Sequence, residues 1–224
     1  MHQYQNMYDI RFIQPSTFLA VGPTSCGKTT LVNKIIRHKN ALFDKPPAFV
    51  VYCYSQHQKS YEDLYNAGLV HKLLDHFPGF DEMKALLMPY KDDGGSLLIL
   101  DDGLSSLSSD ITRIFYELSH HANSSIIMTS QNLFYATKEY RTISLNTHYM
   151  FVFKNPRDKR QLYSLASQLS PYKPKFIVQS FQKATMKPYS YLLIDCHQSS
   201  PDFLRYRSRV IPGEGPVVVF LEKS

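Results

Sequence analysis

A glycine-rich loop between an apolar strand and a helix constrains the fold more than any other stretch of this chain. The apolar run Phe18–Val21 precedes the loop, and the helical pattern Thr30–Ile36 follows it. The loop has the form G-x-x-x-x-G-K-T and consists of Gly22, Pro23, Thr24, Ser25, Cys26, Gly27, Lys28 and Thr29. Main-chain N–H groups in such a loop surround phosphate oxygens, and the positive end of the helix dipole adds to the attraction. The sequence therefore predicts a nucleotide-binding site at residues 22–30, Gly22 through Thr30.

The end of this loop carries the side chains that would act on the phosphates. Lys28 reaches the β- and γ-phosphates, and the hydroxyl of Thr29 is a ligand for Mg²⁺. The main-chain N–H groups would also favour a thiolate at Cys26, although a small residue that simply fits the loop is the alternative interpretation. A glycine-rich turn with an exposed lysine is the alternative for the loop as a whole.

Length and composition are compatible with one α/β domain. The chain has 224 residues, of which residues 1–16 form a lead-in and residues 196–224 a C-terminal extension or edge strand. The net charge is 25 − 19 = +6, which fits a polyanionic partner. Three widely spaced cysteines favour a reducing compartment over a disulfide framework. Neither a signal peptide nor an apolar run of membrane-spanning length is evident, so we expect no membrane association.

Apolar runs and helical patterns alternate along the chain, which predicts a mostly parallel sheet with helices on both faces. The predicted strands are Thr17–Val21, Ala48–Cys53, Ser96–Leu100, Ser125–Thr129, Tyr149–Phe153 and Tyr191–Asp195, with an edge strand at Pro216–Leu221. The predicted helices are Gly27–His38, Leu69–His76, Asp81–Leu87, Ile111–His121 and Arg157–Leu169. Ligands of such sheets lie at the carboxyl ends of the strands, where the polar motifs of this chain also fall.

Two adjacent carboxylates end the third predicted strand. The run Leu97–Leu100 followed by Asp101 and Asp102 has the form of a Walker B strand. Asp101 would hold Mg²⁺ opposite Thr29, and Asp102 would orient or deprotonate the attacking water. Many ATPases that combine a phosphate loop with a Walker B strand have Glu at the second position, which is one methylene longer than Asp. The alternative interpretation of an isolated Asp-Asp pair is a helix cap or a turn.

A neutral amide follows the fourth predicted strand. Gln131 would sense the γ-phosphate and the attacking water, because an amide donates to phosphate and accepts from water. Asn132 is the second choice for this role. The alternative is structural: the amide ties the strand end to a neighbouring loop.

A further cation is needed to neutralise charge in the transition state, and a neighbouring subunit often supplies it. The candidates are Arg113, Arg141, Arg157 and Arg160, among which Arg157 and Arg141 are preferred. Each of these side chains also fits an ordinary surface or salt-bridge role.

Basic residues also accumulate in the second half of the chain. They are Lys154, Arg157, Lys159, Arg160, Lys173, Lys175, Lys183, Lys187, Arg205, Arg207 and Arg209. Such residues, interleaved with Tyr and Phe, would contact the phosphates of nucleic acid, although solvated faces of helices and loops are equally compatible with the pattern.

Three motifs in the second half resemble one family. They are Q-N-L-F at residues 131–134, R-T-I-S-L-N at 141–146 and F-K-N-P-R-D at 153–158. This series resembles the DNA-packaging ATPases of Polinton/Maverick elements and adintovirus-like viruses, which are similar to poxvirus packaging ATPases and belong to the FtsK–HerA superfamily. Residues 191–195 and 204–207 also resemble the C-terminal end of this family, so the resemblance spans roughly residues 15–215.

The resemblance implies a P-loop NTPase fold of the additional-strand, RecA/FtsK-like type and an ATPase that moves double-stranded DNA into a capsid. It carries Lys28 and Thr29 over as phosphate and Mg²⁺ ligands, Asp101 and Asp102 as the Walker B pair, and Gln131 as the polar sensor. The implied cofactors are ATP and Mg²⁺. The implied partners are a homo-oligomeric ring, double-stranded DNA and capsid or portal-like proteins. The implied location is the host nucleus, a viral assembly site or the virion.

The chain departs from the family at one place. Relatives often have Arg around the His-His segment before the fourth strand, where this chain has Ser119 and Ala122. If that arginine is a catalytic finger, this chain either uses another one or is a weaker ATPase. Two other function classes stay open on the residues alone: a different nucleotide enzyme, such as a helicase or small-molecule kinase, and a nucleotide-gated scaffold protein.

Overall fold

The computed structural model describes residues 8–102, 108–134 and 137–222. Within these residues, nine strands form one sheet in the order β3-β2-β4-β5-β1-β6-β7-β8-β9. The strands are β1 (Thr17–Val21), β2 (Phe49–Tyr54), β3 (Lys72–Leu74), β4 (Ser96–Asp101), β5 (Ser124–Ser130), β6 (Tyr149–Phe153), β7 (Tyr191–Asp195), β8 (Tyr206–Ser208) and β9 (Val218–Val219).

Helices fill most of the connections between these strands. They are α1 (Lys28–Arg37), α2 (Lys39–Leu42), α3 (Lys59–Asn66), α4 (Phe80–Leu87), α5 (Ser109–Arg113), α6 (Ser119–His121), α7 (Lys138–Leu145), α8 (Arg160–Leu169) and α9 (Pro174–Ala184). A π-helical turn, Ile114–Leu118, joins α5 to α6, so the predicted helix at 111–121 is present as one composite element. Single 3₁₀ turns occur at Met88–Tyr90 and Asp202–Leu204.

The sheet is mostly parallel, as predicted. The first six strands in the sheet order run parallel; they are β3, β2, β4, β5, β1 and β6. At the β6 side of the sheet, β7, β8 and β9 add antiparallel pairs. Strand β5 lies between β1, which leads into the phosphate loop, and β4, which ends in the Walker B carboxylates. This inserted strand is the additional-strand arrangement, and it brings the carboxyl ends of β4, β5 and β1 side by side.

The central strands are buried on both faces because helices cover both. In β1, Leu19 and Val21 belong to one apolar core, which α4, α8 and α9 complete. Phe18 and Ala20 belong to the opposite core, which α1 and α3 complete. This double burial explains the uninterrupted apolar run before the loop. Among the described residues, no helix is long and apolar enough to span a membrane.

Two predicted elements differ from the structure. The run Leu69–His76 was predicted as a helix, and it contains the short strand β3, which pairs in parallel with β2. Short apolar runs do not distinguish helix from strand, and the free edge of β2 decides the outcome here. Helix α8 begins at Arg160 rather than Arg157, because a carboxylate oxygen of Asp158 accepts the main-chain N–H groups of Arg160 (3.1 Å) and Gln161 (3.2 Å).

Candidate active site

The phosphate loop adopts a conformation that requires its two glycines. A Cβ atom on Gly22 would lie 2.6 Å from Cβ of Phe153 and 2.7 Å from Sγ of Cys26, so no larger residue fits there. Gly27 has a φ of 107°, a left-handed conformation that suits glycine. Ser25 also has a positive φ, 62°. The glycine positions of the motif therefore have a steric cause in this structure.

The side chain of Lys28 folds back over its own loop. Its Nζ donates to the carbonyl oxygens of Gly22 (2.7 Å) and Pro23 (3.0 Å). The first turn of α1, which begins at Lys28, contains no acidic residue that would compete with an anion. Lys28 and the following residues of this first turn, Thr29 and Thr30, line one cleft, and a positive charge at a helix N-terminus favours phosphate binding there.

The surroundings of Cys26 favour the neutral thiol over the thiolate. Burial raises the pKa of this group, and this effect outweighs the opposing influence of Lys28 and nearby main-chain N–H groups. The neutral thiol therefore agrees with the interpretation of Cys26 as a small residue that fits the loop.

The carboxylate of Asp101 lies at the end of β4, buried among hydroxyl groups. Its Oδ2 accepts from Tyr61 (2.6 Å), Tyr52 (3.0 Å) and Thr29 (3.4 Å). Its Oδ1 accepts from the hydroxyl of Thr129 (2.7 Å). Burial raises the pKa of both tyrosines, so they keep their protons and act as donors. These contacts fix the orientation of the carboxylate.

The pair Thr29 and Asp101 fits a magnesium ion. A hydroxyl and a carboxylate oxygen, both hard ligands, lie 3.4 Å apart beside the phosphate loop. Mg²⁺ is held in proteins by few side-chain oxygens together with water and substrate phosphates, which matches this small donor set. The residues predicted to hold the metal are thus brought together.

Asp102 and Gln131 meet at the carboxyl ends of β4 and β5. The Asp102 carboxylate is hydrogen-bonded to the Gln131 side chain, and its backbone has a φ of 59°. The main-chain N–H of Asp102 donates to Oγ1 of Thr129 at 2.8 Å. Burial, then the neighbouring Asp101, raises the pKa of Asp102, and Lys28 opposes this shift. The predicted base and the predicted sensor are therefore one hydrogen-bonded unit.

One cleft of about 380 Å³ connects these groups. Its lining includes the loop residues Thr24 to Thr30 except Cys26, the two Walker B aspartates, Thr129 and Gln131. Gln131 lines the cleft and Asn132 does not, which favours the first choice for the sensor. The loop between β2 and α3 also contributes, through Ser55, Gln56 and Gln58.

Sequence reasoning missed three of the site residues: Tyr52, Tyr61 and Thr129. Tyr52 is fully buried in an apolar strand, and a buried tyrosine hydroxyl needs a hydrogen-bond partner, which was a usable signal. Tyr61 lies on α3, a helix that the sequence pattern did not predict. Thr129 was assigned only to its strand, although its position one residue before the strand end places it beside the Walker B carboxylates.

The predicted finger arginines lie outside this cleft. Arg141 on α7 and Arg157 in the loop before α8 are exposed, as is Arg160 at the start of α8. Arg113 pairs with Glu117 at 3.1 Å and lies over a phenylalanine ring. Among the described residues, no arginine lines the cleft.

The late basic residues fall into two groups. The side chains between β6 and β7, from Lys154 to Lys187, are exposed. Arg207 is buried instead: it contacts Asp195 at 2.6 Å and donates to the carbonyl of Ile10 at 3.0 Å. Its prediction as a nucleic-acid contact is wrong, because its side chain is buried and paired with Asp195. Arg205 pairs with Asp202, and Arg209 remains exposed.

This chain is similar to known proteins only at low sequence identity. No family model matches the chain, and no curated protein matches its sequence. Among solved structures, EccC of Thermomonospora curvata (ATPases 2 and 3, in complex with a signal sequence peptide) is 14% identical with a TM-score of 0.45, and covers 65% of this chain. The match spans 31% of the EccC chain. The flagellar accessory protein FlaH of Methanocaldococcus jannaschii is 14% identical with a TM-score of 0.43, over 62% of this chain and 70% of FlaH.

Proposed function

We propose that this chain is an ATPase that binds ATP with Mg²⁺ in the cleft and hydrolyses the γ-phosphate. One observation carries the proposal: the loop lysine, the Thr29–Asp101 pair and the Asp102–Gln131 pair all line the same cleft. Thr29 and Asp101 would hold the metal, and bound Mg²⁺ would neutralise charge on the phosphate oxygens.

Residues of the chain would bind the phosphates, orient the attacking water and accept its proton. Lys28 exchanges its two loop carbonyls for phosphate oxygens, while the loop N–H groups hold the β-phosphate. Gln131 orients a water molecule, and Asp102 accepts one of its protons as the water oxygen attacks the γ-phosphorus. The bond to the ADP oxygen breaks and inorganic phosphate leaves. A raised pKa of Asp102 makes it a better proton acceptor.

The wider proposal is that hydrolysis drives double-stranded DNA into a capsid in a viral or virus-like transposon system. The motif series at residues 131–158 supports it. So does the segment 151–190, which carries eight basic residues and one acidic residue, Asp158. The basic side chains are exposed, as phosphate contacts require, and they are Lys154, Arg157, Lys159, Arg160, Lys173, Lys175, Lys183 and Lys187.

A ring of identical subunits would complete the site. The transition state needs a cation beyond Lys28, and the described residues place no arginine in the cleft. Arg157 and Arg141 are exposed and therefore free to reach a neighbouring subunit. Capsid or portal-like proteins would be the further partners, at a nuclear or viral assembly site.

ATP hydrolysis measured with and without duplex DNA tests this proposal. Lys28→Ala should lower turnover by about 10²–10³-fold, because removal of one preorganised charge-stabilising group has that effect. The exposed Lys45→Ala serves as the matched control and should retain activity. Wild-type turnover equal to that of Lys28→Ala would refute the ATPase.

Hydrolysis measured with duplex DNA, single strands or a phosphate acceptor distinguishes the classes of function that the sequence leaves open. Stimulation by duplex DNA supports the translocase, whereas stimulation only by single strands indicates a helicase. Transfer of phosphate to an acceptor other than water indicates a kinase, and nucleotide binding without turnover indicates a scaffold.

Mixed oligomers test the arginine. Arg157→Ala and Arg141→Ala subunits are each mixed with Lys28→Ala subunits, which keep their arginines but cannot hydrolyse. Recovered activity in one mixture identifies that arginine as acting on a neighbour's site, and no recovery in either mixture contradicts both assignments.

A further inference from the structure

A second cavity adjoins the phosphate loop on the side away from the Walker B carboxylates. Its volume is about 280 Å³, and its walls come from the loop after β6 and the loop before β7. Apolar groups dominate these walls, among them Phe153, Pro156, Met186 and Pro188. Tyr189 lines both this cavity and the phosphate cleft, so the two spaces meet at its side chain.

The sheet order fixes which way a nucleotide would point. The hydrolytic groups lie at the ends of β4 and β5, on one side of β1. The γ-phosphate must face those groups. The nucleoside end must then leave the phosphate loop on the other side of β1, where β6 and β7 lie. The second cavity occupies that side.

Tyr189 has the features of a ligand-facing residue rather than a core residue. Its side chain is 73% exposed, although it is a large aromatic group. Its φ is 62°, a conformation that bulky residues rarely adopt and that is enriched at functional sites. It also lies directly against the loop: a Cβ on Gly27 would lie 3.4 Å from Cβ of Tyr189.

We propose that this cavity is the nucleobase subsite and that the Tyr189 ring stacks on the base. The proposal rests on the proposed ATP site and adds the part of that site which holds the nucleoside. Stacking on an aromatic ring is a recurrent way to hold a base, because every base has a flat π-face. The apolar side chains around the ring would cover the rest of the base.

Binding of ATP and of inorganic tripolyphosphate, which has no base, is compared by calorimetry with Mg²⁺ present. We expect wild type to bind ATP more tightly than tripolyphosphate. Tyr189→Ala should weaken ATP binding by roughly ten-fold or more, the usual effect of losing one stacking ring, and leave tripolyphosphate binding unchanged. Alanine has a Cβ atom, as tyrosine does, so the backbone strain at this positive φ is the same in both proteins. The comparison therefore isolates the effect of the ring. Tyr189→Phe keeps the ring and should retain ATP affinity.

Control variants and the tripolyphosphate measurement distinguish the nucleobase subsite from the phosphate site. Tyr163→Ala removes a similarly exposed tyrosine, 53% exposed on α8 and outside both cavities, and should change neither affinity. Equal loss of ATP and tripolyphosphate binding in Tyr189→Ala would overturn the base subsite, as would no loss of either. Equal wild-type affinities for the two ligands would also overturn it and leave the phosphate site intact. Failure of wild type to bind ATP at all would overturn the proposed function itself.

Discussion

Arg207→Ala should destabilise the protein rather than weaken a DNA contact. The Arg207 side chain is 2% exposed, and its partner Asp195 is 3% exposed. One terminal guanidinium nitrogen donates to Asp195 and the other terminal nitrogen to the Ile10 carbonyl. The substitution therefore leaves a buried carboxylate without its counter-charge.

The expected magnitude follows from these contacts. Breaking a buried pair by removing one partner costs about 3–5 kcal/mol. Asp195 keeps two other donors, the N–H of His197 (3.0 Å) and the hydroxyl of Ser200 (2.9 Å), which places the cost toward the lower end of that range. For a chain of this size, roughly 2–4 °C of melting temperature is lost per kcal/mol.

Urea unfolding followed by circular dichroism measures this change, with Arg209→Ala as the control. Arg209 lies two residues away and is exposed, so its removal should change stability by less than about 0.5 kcal/mol. A double variant, Arg207→Met with Asp195→Asn, should recover part of the loss, because no unpaired charge remains and the amide oxygen still accepts the main-chain N–H of His197. Unchanged stability of Arg207→Ala together with a lower affinity for duplex DNA would refute the reasoning.

Three further substitutions probe the site. Thr129→Val removes the hydroxyl that bonds both Walker B aspartates. The free energy of unfolding should therefore fall by about 1–3 kcal/mol in urea, and ATP turnover should fall in a phosphate-release assay. Unchanged values in both assays would contradict this role. Tyr61→Phe removes a donor that occupies Oδ2 of Asp101, so half-maximal hydrolysis should need less Mg²⁺ in a metal titration, and a higher requirement would oppose this view. Gly22→Ala places a Cβ 2.6 Å from Phe153, so nucleotide binding should be lost in calorimetry, whereas retained affinity would show that the loop relaxes.

The parts of this fold that the sequence predicted share one property: their signals are local. The strands Thr17–Val21, Tyr149–Phe153 and Tyr191–Asp195 are continuous apolar runs, and the structure has them with the same bounds. The Walker residues could be predicted because a motif fixes both residue type and spacing. Placing Asp101 beside Thr29 needed only the rule that parallel strands end at one edge of the sheet.

The parts that the sequence did not predict depend on contacts between distant segments. Strand β3 exists because β2 offers a free edge, and its own residues are partly exposed. Helices α7 and α9 bury one face against the sheet, but polar and aromatic residues between the apolar positions obscure their periodicity. The interior position of Arg207 depends on Asp195 of the neighbouring strand, a pairing that a charge pattern along the chain does not reveal.

His148 should make the stability of the fold sensitive to acid. Its Nδ1 accepts the main-chain N–H of Thr17 at 3.1 Å, and burial, assisted by His197 and His120, lowers its pKa from 6.5 to about 4. Between these values the unfolded chain binds the proton and the folded chain does not, so stability falls as the pH drops from 6.5 toward 4. The ring is only partly buried and solvent screens the effect, so the expected loss at about pH 5 is on the order of 1 kcal/mol. His148→Asn keeps an acceptor but does not titrate, so urea unfolding at neutral pH and at about pH 5 should show a smaller difference for this variant than for wild type. Equal differences would mean that His148 takes up its proton equally in both states.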